Sequence, residues 1–381
     1  MMTETIFTNA KIVTPDRVLE GSVKINEGKI ADISDDVSGL PAATDFDGDY
    51  LMPGFVELHT DNLEKHFAPR PGVDWPHVPA VLAHDSQLAA SGITTVLDAL
   101  SVGDLNENSG RLRNLDKMAG AICEASERNL LRTDHYLHLR CEVSHHAMLE
   151  VFEEYQDDEN IRLVSLMDHT PGQRQFTRMD KYAEYYQGKY GMTDAELERF
   201  IEEKRINQQR YSAQNRAAVV DRCRVRGIPM ASHDDATPEH VDEALENGVT
   251  VAEFPTTVEA AKIAHDAGLK VLMGAPNLVL GGSHSGNVSA MELGQAGVLD
   301  IVSSDYVPSS IIQGVFKLWQ AGAKKTLPEA VATVSRTPAQ IAALSDRGEI
   351  APCRKADLIR VTMDEDTPVV ANVWRAGERI I

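Results

Sequence analysis

The chain has 381 residues, 43% of them hydrophobic, and its 37 Lys and Arg residues against 58 Asp and Glu residues give a net charge of -21. This length allows one large core with a small appended one, or two medium-sized domains. The acidic balance, without any long block of Lys or Arg, argues against a nucleic-acid partner and against binding to an anionic membrane.

The cysteines and the apolar runs indicate where the protein resides. The four cysteines lie far apart without a CxxC pair, which is typical of a reducing compartment and argues against a disulfide framework. No apolar run approaches the roughly 20 residues that span a bilayer, and the N-terminal residues lack the pattern of an export signal. We therefore expect a cytoplasmic protein. The sequence leaves the oligomeric state open, with a homo-oligomer among the alternatives.

Short strand-like segments, each bounded by turn-forming residues, occupy both ends of the chain. These segments cover residues 5–13, 21–25, 28–33, 356–362, 368–374 and 377–381. Neither end has enough strands for a stable sheet of its own. We therefore predict that residues 1–50 and 350–381 form one small β-sandwich domain.

Between the two ends, strand-like runs alternate with helix-like patterns. Thr193 and Glu196 form a capping-box pattern before a long polar helix, and Thr237-Pro238 starts another helix. Eight β/α units in about 300 residues are typical of a (β/α)8 barrel, so we predict this α/β, TIM-like fold for residues 51–349. The strand-like runs end at His59, Asp98, Glu142, His169, His233, Phe254, Gly274 and Asp305.

Polar side chains that suit a metal stand at five of the eight predicted strand ends. In a barrel of this kind, the active site lies at the carboxyl ends of the strands. Imidazole and carboxylate ligands without a thiolate suit zinc, iron(II) or manganese, so the sequence predicts a one- or two-metal hydrolytic centre. The candidate ligands are His59, Asp61, Glu142, His169 and His233, with Asp305 as the candidate catalytic residue.

Each candidate ligand also has a structural interpretation. A histidine at a strand end is often only hydrogen-bonded, Glu142 could cap a helix, and Asp305 could begin a turn before Pro308. Placement at five strand ends favours the metal site over these alternatives. We interpret most other histidines as structural, and we expect His84 and Asp85 at the surface, with support of the site from behind as the alternative.

Cationic and glycine-rich loops follow several of these strands. Arg70, Arg174 and Arg178 lie beyond two site strands, and a guanidinium group matches phosphate oxygens. His284 lies in the Gly- and Ser-rich segment 281–287, whose backbone N–H groups could approach an anion. We interpret these four residues as substrate contacts, with solvated loop side chains as the alternative.

The chain contains PGFVELH ending at His59, SSD ending at Asp305 and ADLI starting at Ala356. Together these motifs resemble the amidohydrolase superfamily. The resemblance implies a metal-dependent barrel with a small β-sandwich made from both termini. Typical members have His-x-His after the first strand and often a carboxylated lysine between two metals. Here His59-Thr-Asp61 replaces the first motif, and Glu142 stands where a bridging group would be wanted.

Further motifs resemble one branch of this superfamily. They are HTDNLE from His59, PRPG ending at Gly72, AHD ending at Asp85 and GITTV from Gly92, and they are similar to the diphosphatases of the carbon–phosphorus lyase pathway. The resemblance implies hydrolysis of α-D-ribose 1-methylphosphonate 5-triphosphate to the 5-phosphate and diphosphate in phosphonate catabolism. It implies one or two divalent ions, zinc first, that activate water while Asp305 accepts a proton.

Two other functions stay open. The first is hydrolysis of a cyclic amide, N-acyl or amidine substrate on the same scaffold, which would not need phosphate-binding cations. The second is a barrel that has lost catalysis and acts in binding or assembly. Five retained polar strand ends argue against the second alternative.

Overall fold

Strands occupy both ends of the chain, and strands alternate with helices between them. The computed structural model describes residues 4–70, 72–104, 111–174, 191–283 and 286–381. The strands are β1 (Thr5–Val13), β2 (Val18–Asn26), β3 (Lys29–Ser34), β4 (Thr44–Asp45), β5 (Tyr50–Pro53), β6 (Phe55–Thr60), β7 (Ile93–Val102), β8 (Asp134–Glu142), β9 (Ile161–Met167), β10 (Met230–His233), β11 (Val251–Glu253), β12 (Lys270–Gly274), β13 (Ile301–Ser303), β14 (Leu358–Asp364), β15 (Thr367–Arg375) and β16 (Glu378–Arg379). The helices are α1 (Leu63–Phe67), α2 (His77–Ala90), α3 (Arg111–Glu127), α4 (Met148–Tyr155), α5 (Asp194–Arg226), α6 (Pro238–Glu246), α7 (Val258–Asp266), α8 (Ala275–Leu280), α9 (Ala290–Gln295), α10 (Ser310–Gln320), α11 (Leu327–Ala332) and α12 (Arg336–Ile341).

Strands from both ends of the chain pair in one sheet. Its order is β16-β15-β14-β5-β1-β2-β3, with β4 beside β1, and β5 pairs with β14 in antiparallel register. Phe7 packs against Phe46 and Trp374 with ring centroids 5.0 and 4.7 Å apart, so the two ends also share a core. The predicted β-sandwich from both termini is confirmed, while the domain boundaries at residues 50 and 350 stay predictions.

The strands β6 to β13 form a second sheet, in which neighbours along the chain are neighbours in space and run parallel. A parallel bridge between Thr60 and Asp305 joins the last strand to the first. The Asp305 N–H donates to the His59 carbonyl over 3.1 Å, and the Asp61 N–H donates to the Asp305 carbonyl over 3.1 Å. The predicted (β/α)8 barrel is confirmed.

A buried carboxyl group reinforces this seam between β6 and β13. Glu57 is 0% exposed. Its Oε1 accepts from the His59 N–H over 2.7 Å and its Oε2 accepts from the Ser304 N–H over 2.6 Å. Burial raises the pKa of Glu57 to about 7. Glu57 belongs to β6, so its hydrogen bond from Ser304 crosses the seam, and its hydrogen bond from His59 fixes the carboxylate within its own strand.

Apolar side chains fill the barrel below the polar ends of the strands. Because side chains alternate along a strand, the second residue after an apolar interior residue also faces inward. This alternation places Ser165, His233 and Glu253 above the apolar layer. The apolar cluster contains Val56, Leu58, Leu97, Leu163, Ala231, Val251, Leu272 and Ile301, together with Ala339, Ala342 and Leu344.

Two helix starts match the sequence predictions. Thr193 accepts from the Glu196 N–H and Glu196 caps Thr193 in return, so the capping box of the 33-residue helix α5 is present. Helix α6 begins at Pro238 after Thr237 and ends at Glu246, as expected. Within the described ranges, no helix combines the length and the apolar character that a bilayer crossing requires.

Candidate active site

The barrel brings the predicted strand-end residues to one rim. Glu142 and His233 are the last residues of β8 and β10, and His59 is the second-last residue of β6. His169 and Asp305 each follow their strands by two residues. The carboxyl ends of parallel barrel strands meet at one face, so these side chains occupy a common region.

Glu253 is the buried acceptor that organises two of the predicted histidines. It is 0% exposed and ends β11. Its carboxylate accepts from His59 Nδ1 over 2.9 Å, from His233 Nδ1 over 3.1 Å and from Ser165 Oγ over 2.6 Å. Burial alone would raise the pKa of Glu253, but the neighbouring imidazoles and these hydrogen bonds hold it well below its usual range.

The hydrogen bonds to Glu253 determine which nitrogen each histidine offers. Because Nδ1 of both His59 and His233 donates to the carboxylate, Nε2 is the atom that each ring has available for a ligand. Burial lowers the pKa of His233, which favours the neutral imidazole that a metal requires. Sequence reasoning missed Glu253, because it assigned Phe254 as the end of that strand.

His169, His233 and Asp234 bring three ligand atoms together, all within 4.8 Å of one another. The Oδ2 atom of Asp234 lies 3.7 Å from Nε2 of His169 and 3.7 Å from Nε2 of His233. This oxygen is buried and has no hydrogen-bond partner. Zinc binds nitrogen and oxygen at roughly 2.0–2.2 Å, so its ligand atoms lie roughly 3–4 Å apart. The donor set therefore fits a divalent ion, and Asp234 is a candidate ligand that the sequence analysis did not name.

Glu142 contacts His169 from behind. His169 Nδ1 donates to Glu142 Oε2 over 2.6 Å, and the His169 N–H donates to Glu142 Oε1 over 3.2 Å. Ser144 Oγ donates to Oε1 as well, over 2.7 Å. Glu142 thus orients the ring so that Nε2 approaches Asp234, whereas its predicted role as a direct ligand stays a prediction.

Asp305 is held between β6 and β12. Its backbone has φ 55°, and its carbonyl accepts from Thr60 Oγ1 over 2.9 Å. A Cβ at Gly274 would lie 3.3 Å from Asp305 Oδ2, so this glycine leaves room for the carboxylate. Burial and the nearby Asp61 carboxylate raise the pKa of Asp305 to about 6. The group therefore titrates close to neutral pH.

Asp61 follows β6 directly and lies near Arg140. Its Oδ2 is 3.9 Å from Nη1 of Arg140. In the part of the chain that the structure describes, Asp61 belongs to no group of three side chains whose ligand atoms share the required spacing. Its role as a metal ligand stays a prediction.

The predicted substrate contacts differ in their surroundings. Arg70 is exposed. Arg174 is 6% exposed, its guanidinium pairs with Asp235 and Glu243, and Nη1 also donates to the His233 carbonyl over 3.3 Å. The remaining two, Arg178 and His284, lie outside the described residues.

The expectation that His84 and Asp85 lie at the surface is wrong, because both are 0% exposed. His84 Nε2 donates to Asp98 Oδ1 and His135 Nδ1 donates to Asp98 Oδ2, each over 2.7 Å. His84 Nδ1 accepts from Asn62 Nδ2 over 2.8 Å. The pair is buried because α2 packs on β7, which supplies Asp98, so the network supports the segment after β6 from behind.

Comparison with known proteins places the chain among hydrolases. It is 48% identical over 376 residues to the α-D-ribose 1-methylphosphonate 5-triphosphate diphosphatase of Escherichia coli strain K12, covering 98% of this chain and 100% of that protein. A solved amidohydrolase matches with a TM-score of 0.65 at 16% identity, over 100% of this chain and 99% of that one. N-acetylglucosamine-6-phosphate deacetylase from Pasteurella multocida matches with a TM-score of 0.63 at 16% identity, over 99% of both chains. No family model matches the sequence.

Proposed function

Because the chain belongs to the family of α-D-ribose 1-methylphosphonate 5-triphosphate diphosphatases, we propose that its barrel mouth hydrolyses this triphosphate to the 5-phosphate and diphosphate. The chain is a hydrolase that acts on an acid anhydride, and this reaction is a step in phosphonate catabolism. The observation that supports this substrate assignment is the 48% identity to that diphosphatase across 98% of the chain. Amide hydrolysis, the alternative, has the support of solved neighbours at 16% identity.

The metal site of this proposal uses His59, His169, His233 and Asp234. The unpartnered Oδ2 of Asp234 between two imidazole nitrogens supports the presence of a cation. Nitrogen and oxygen donors without sulfur suit zinc first, with iron or manganese as alternatives. When bound, the metal supplies a Lewis acid and lowers the pKa of a coordinated water. Glu142 and Glu253 orient the imidazoles from behind.

Asp305 is the proton acceptor in the proposed reaction. Its Oδ2 takes a proton from the attacking water as oxygen adds to the α-phosphorus and the bond to the diphosphate breaks. A general base works best when its pKa lies near the operating pH, and the pKa of Asp305 is raised to about 6. The two backbone hydrogen bonds of Asp305, to His59 and from Asp61, fix the position of this residue.

The substrate carries several negative charges, and the protein has a net charge of -21. Screening over roughly 8 Å at physiological salt means that the local field at the mouth matters most. Arg70, Arg178 and His284 stay the predicted substrate contacts in the loops. For Arg174 we favour positioning, since Asp235 and Glu243 already pair with its guanidinium next to His233.

Isotope tracing tests the proposed reaction. The purified, metal-loaded protein is incubated with the ribose triphosphate in ¹⁸O-labelled water. The products are then separated, and mass spectrometry determines which product contains the label. Attack at the α-phosphorus puts the label in the 5-phosphate and releases unlabelled diphosphate. Release of orthophosphate alone, or label in the diphosphate, would contradict the proposal. A panel of cyclic ureides and N-acyl amines covers the amide alternative, and turnover there without diphosphate release would favour it.

A further inference from the structure

Arg140 is a buried cation whose donors are incompletely used. It lies on β8 and is 8% exposed. Its Nε and Nη1 atoms are buried and have no hydrogen-bond partner, and Asp61 Oδ2 lies 3.9 Å from Nη1, beyond hydrogen-bond distance. A guanidinium group carries five N–H donors and is always charged. Burial of such a group without partners is unfavourable, so the arrangement needs an explanation.

The direction of the side chain follows from alternation along β8. Leu139 and Cys141 belong to the apolar cluster that packs the outside of the barrel. His138 faces inward, with Nε2 3.9 Å from Glu253, and Glu142 contacts His169 at the mouth. Since side chains on a strand alternate between two faces, Arg140 faces inward between His138 and Glu142.

Two other arginines among the described residues, Arg174 and Arg111, hydrogen-bond directly to carboxylates. Arg174 pairs with Asp235 and Glu243, and Arg111 Nε donates to Glu64 over 3.1 Å. Arg140 also acts electrostatically on His59, His169 and Asp305, which places its charge beside the candidate metal ligands and the candidate base. An anion bound to Arg140 would therefore lie close to the candidate metal ligands and to Asp305.

We propose that Arg140 binds non-bridging oxygens of the substrate's phosphate chain beside the scissile bond. The inference deepens the proposed function and rests on it. A guanidinium fork matches two phosphate oxygens at once. Donors that are already fixed and desolvated stabilise charge on the phosphate without first releasing water. The Nε and Nη1 donors of Arg140 have no hydrogen-bond partner in the protein, so they are available to these oxygens.

The test compares Arg140→Met and Arg140→Lys with wild type, and uses Arg128→Met as the control, because Arg128 is an exposed surface residue paired with Glu124. The probes are turnover of the ribose triphosphate and inhibition by inorganic diphosphate. Arg140→Met should lower kcat/KM by about 100-fold or more and weaken inhibition at least about 10-fold. Arg140→Lys keeps the charge but loses the two-pronged guanidinium geometry, so its kcat/KM should lie between the values of wild type and Arg140→Met. The metal content of both variants should equal that of wild type.

Several outcomes separate this inference from the proposed function. If wild type releases diphosphate and both Arg140 variants match the control, Arg140 is not a phosphate contact and the function stands. If wild type fails to hydrolyse the triphosphate, yet calorimetry shows diphosphate binding that Arg140→Met weakens, the anion site stands and the function fails. If Arg140→Met does not fold, Arg140→Lys decides, and wild-type values for that variant would overturn the inference.

Discussion

Removal of the charge on His135 tests the buried network behind the barrel wall. The side chains of His135 and Asp98 are both 0% exposed, and Nδ1 lies 2.7 Å from Asp98 Oδ2. Burial alone would lower the pKa of His135, but the carboxylates of Asp98 and Asp85 raise it from 6.5 to about 9. The imidazolium is therefore the stable form of His135 at neutral pH.

The magnitude of the effect follows from these pKa values. A pKa difference of one between the folded and unfolded states corresponds to about 1.4 kcal/mol. The rise in the pKa of His135 from 6.5 to about 9 therefore corresponds to roughly 3 kcal/mol of folding free energy. The folded-state pKa is the higher one. The contribution is therefore complete below pH 6.5 and is lost as the pH rises through about 9. His135→Gln removes the charge but keeps a donor for Asp98.

The assay is equilibrium unfolding by denaturant, monitored by tryptophan fluorescence, at several pH values between about pH 6 and pH 9.5. The stability difference between wild type and His135→Gln should shrink by roughly 3 kcal/mol across this range. Ser86→Ala is the control, since it lies next to Asp85 on α2 and does not titrate. Stability curves for wild type and His135→Gln that run parallel across the whole range would refute the reasoning.

Asp305→Asn should lower kcat by about 100-fold or more, since general-base catalysis contributes roughly 10²–10⁴, with metal content unchanged by elemental analysis; wild-type turnover would remove its assigned role. Glu253→Gln should weaken metal affinity by about 10- to 100-fold in chelator titrations, because two imidazoles lose their orienting carboxylate; unchanged affinity would argue against that orientation. Gly274→Ala places a Cβ 3.3 Å from Asp305 Oδ2 and should lower kcat by up to about 100-fold while KM changes little; an unchanged kcat would show that the carboxylate has room to move. Chelation of the metal should abolish diphosphate release, and zinc should restore it, whereas activity that survives complete metal removal would end the metal mechanism.

The sequence predicted the barrel because its strands and helices have different periods and because each strand is bounded by turn residues. The same patterns located His59, Glu142, His169 and His233 at strand ends. They did so because a parallel barrel puts these ends at one rim, so position along a strand already gives approximate position in space.

The same patterns did not predict contacts between segments that are far apart in the sequence. Glu253 ends a strand of three residues, too short to show its period, and its role depends on histidines contributed by other strands. Arg140 was not among the predicted site residues, because the absence of hydrogen-bond partners at its Nε and Nη1 is a property of the packed barrel. His84 was assigned to the surface because its acidic partner, Asp98, comes from a neighbouring strand that packs over it.

The bridge from Thr60 to Asp305 has a consequence for the order in which the protein acquires its properties. His169, His233 and Asp234 all precede the final barrel strand, whereas Asp305 follows it and depends on β6 for its hydrogen bonds. During synthesis or refolding, capture of a cation should therefore come before turnover. A chain that has not yet docked its last strand would hold the ion but would lack the group that accepts the proton.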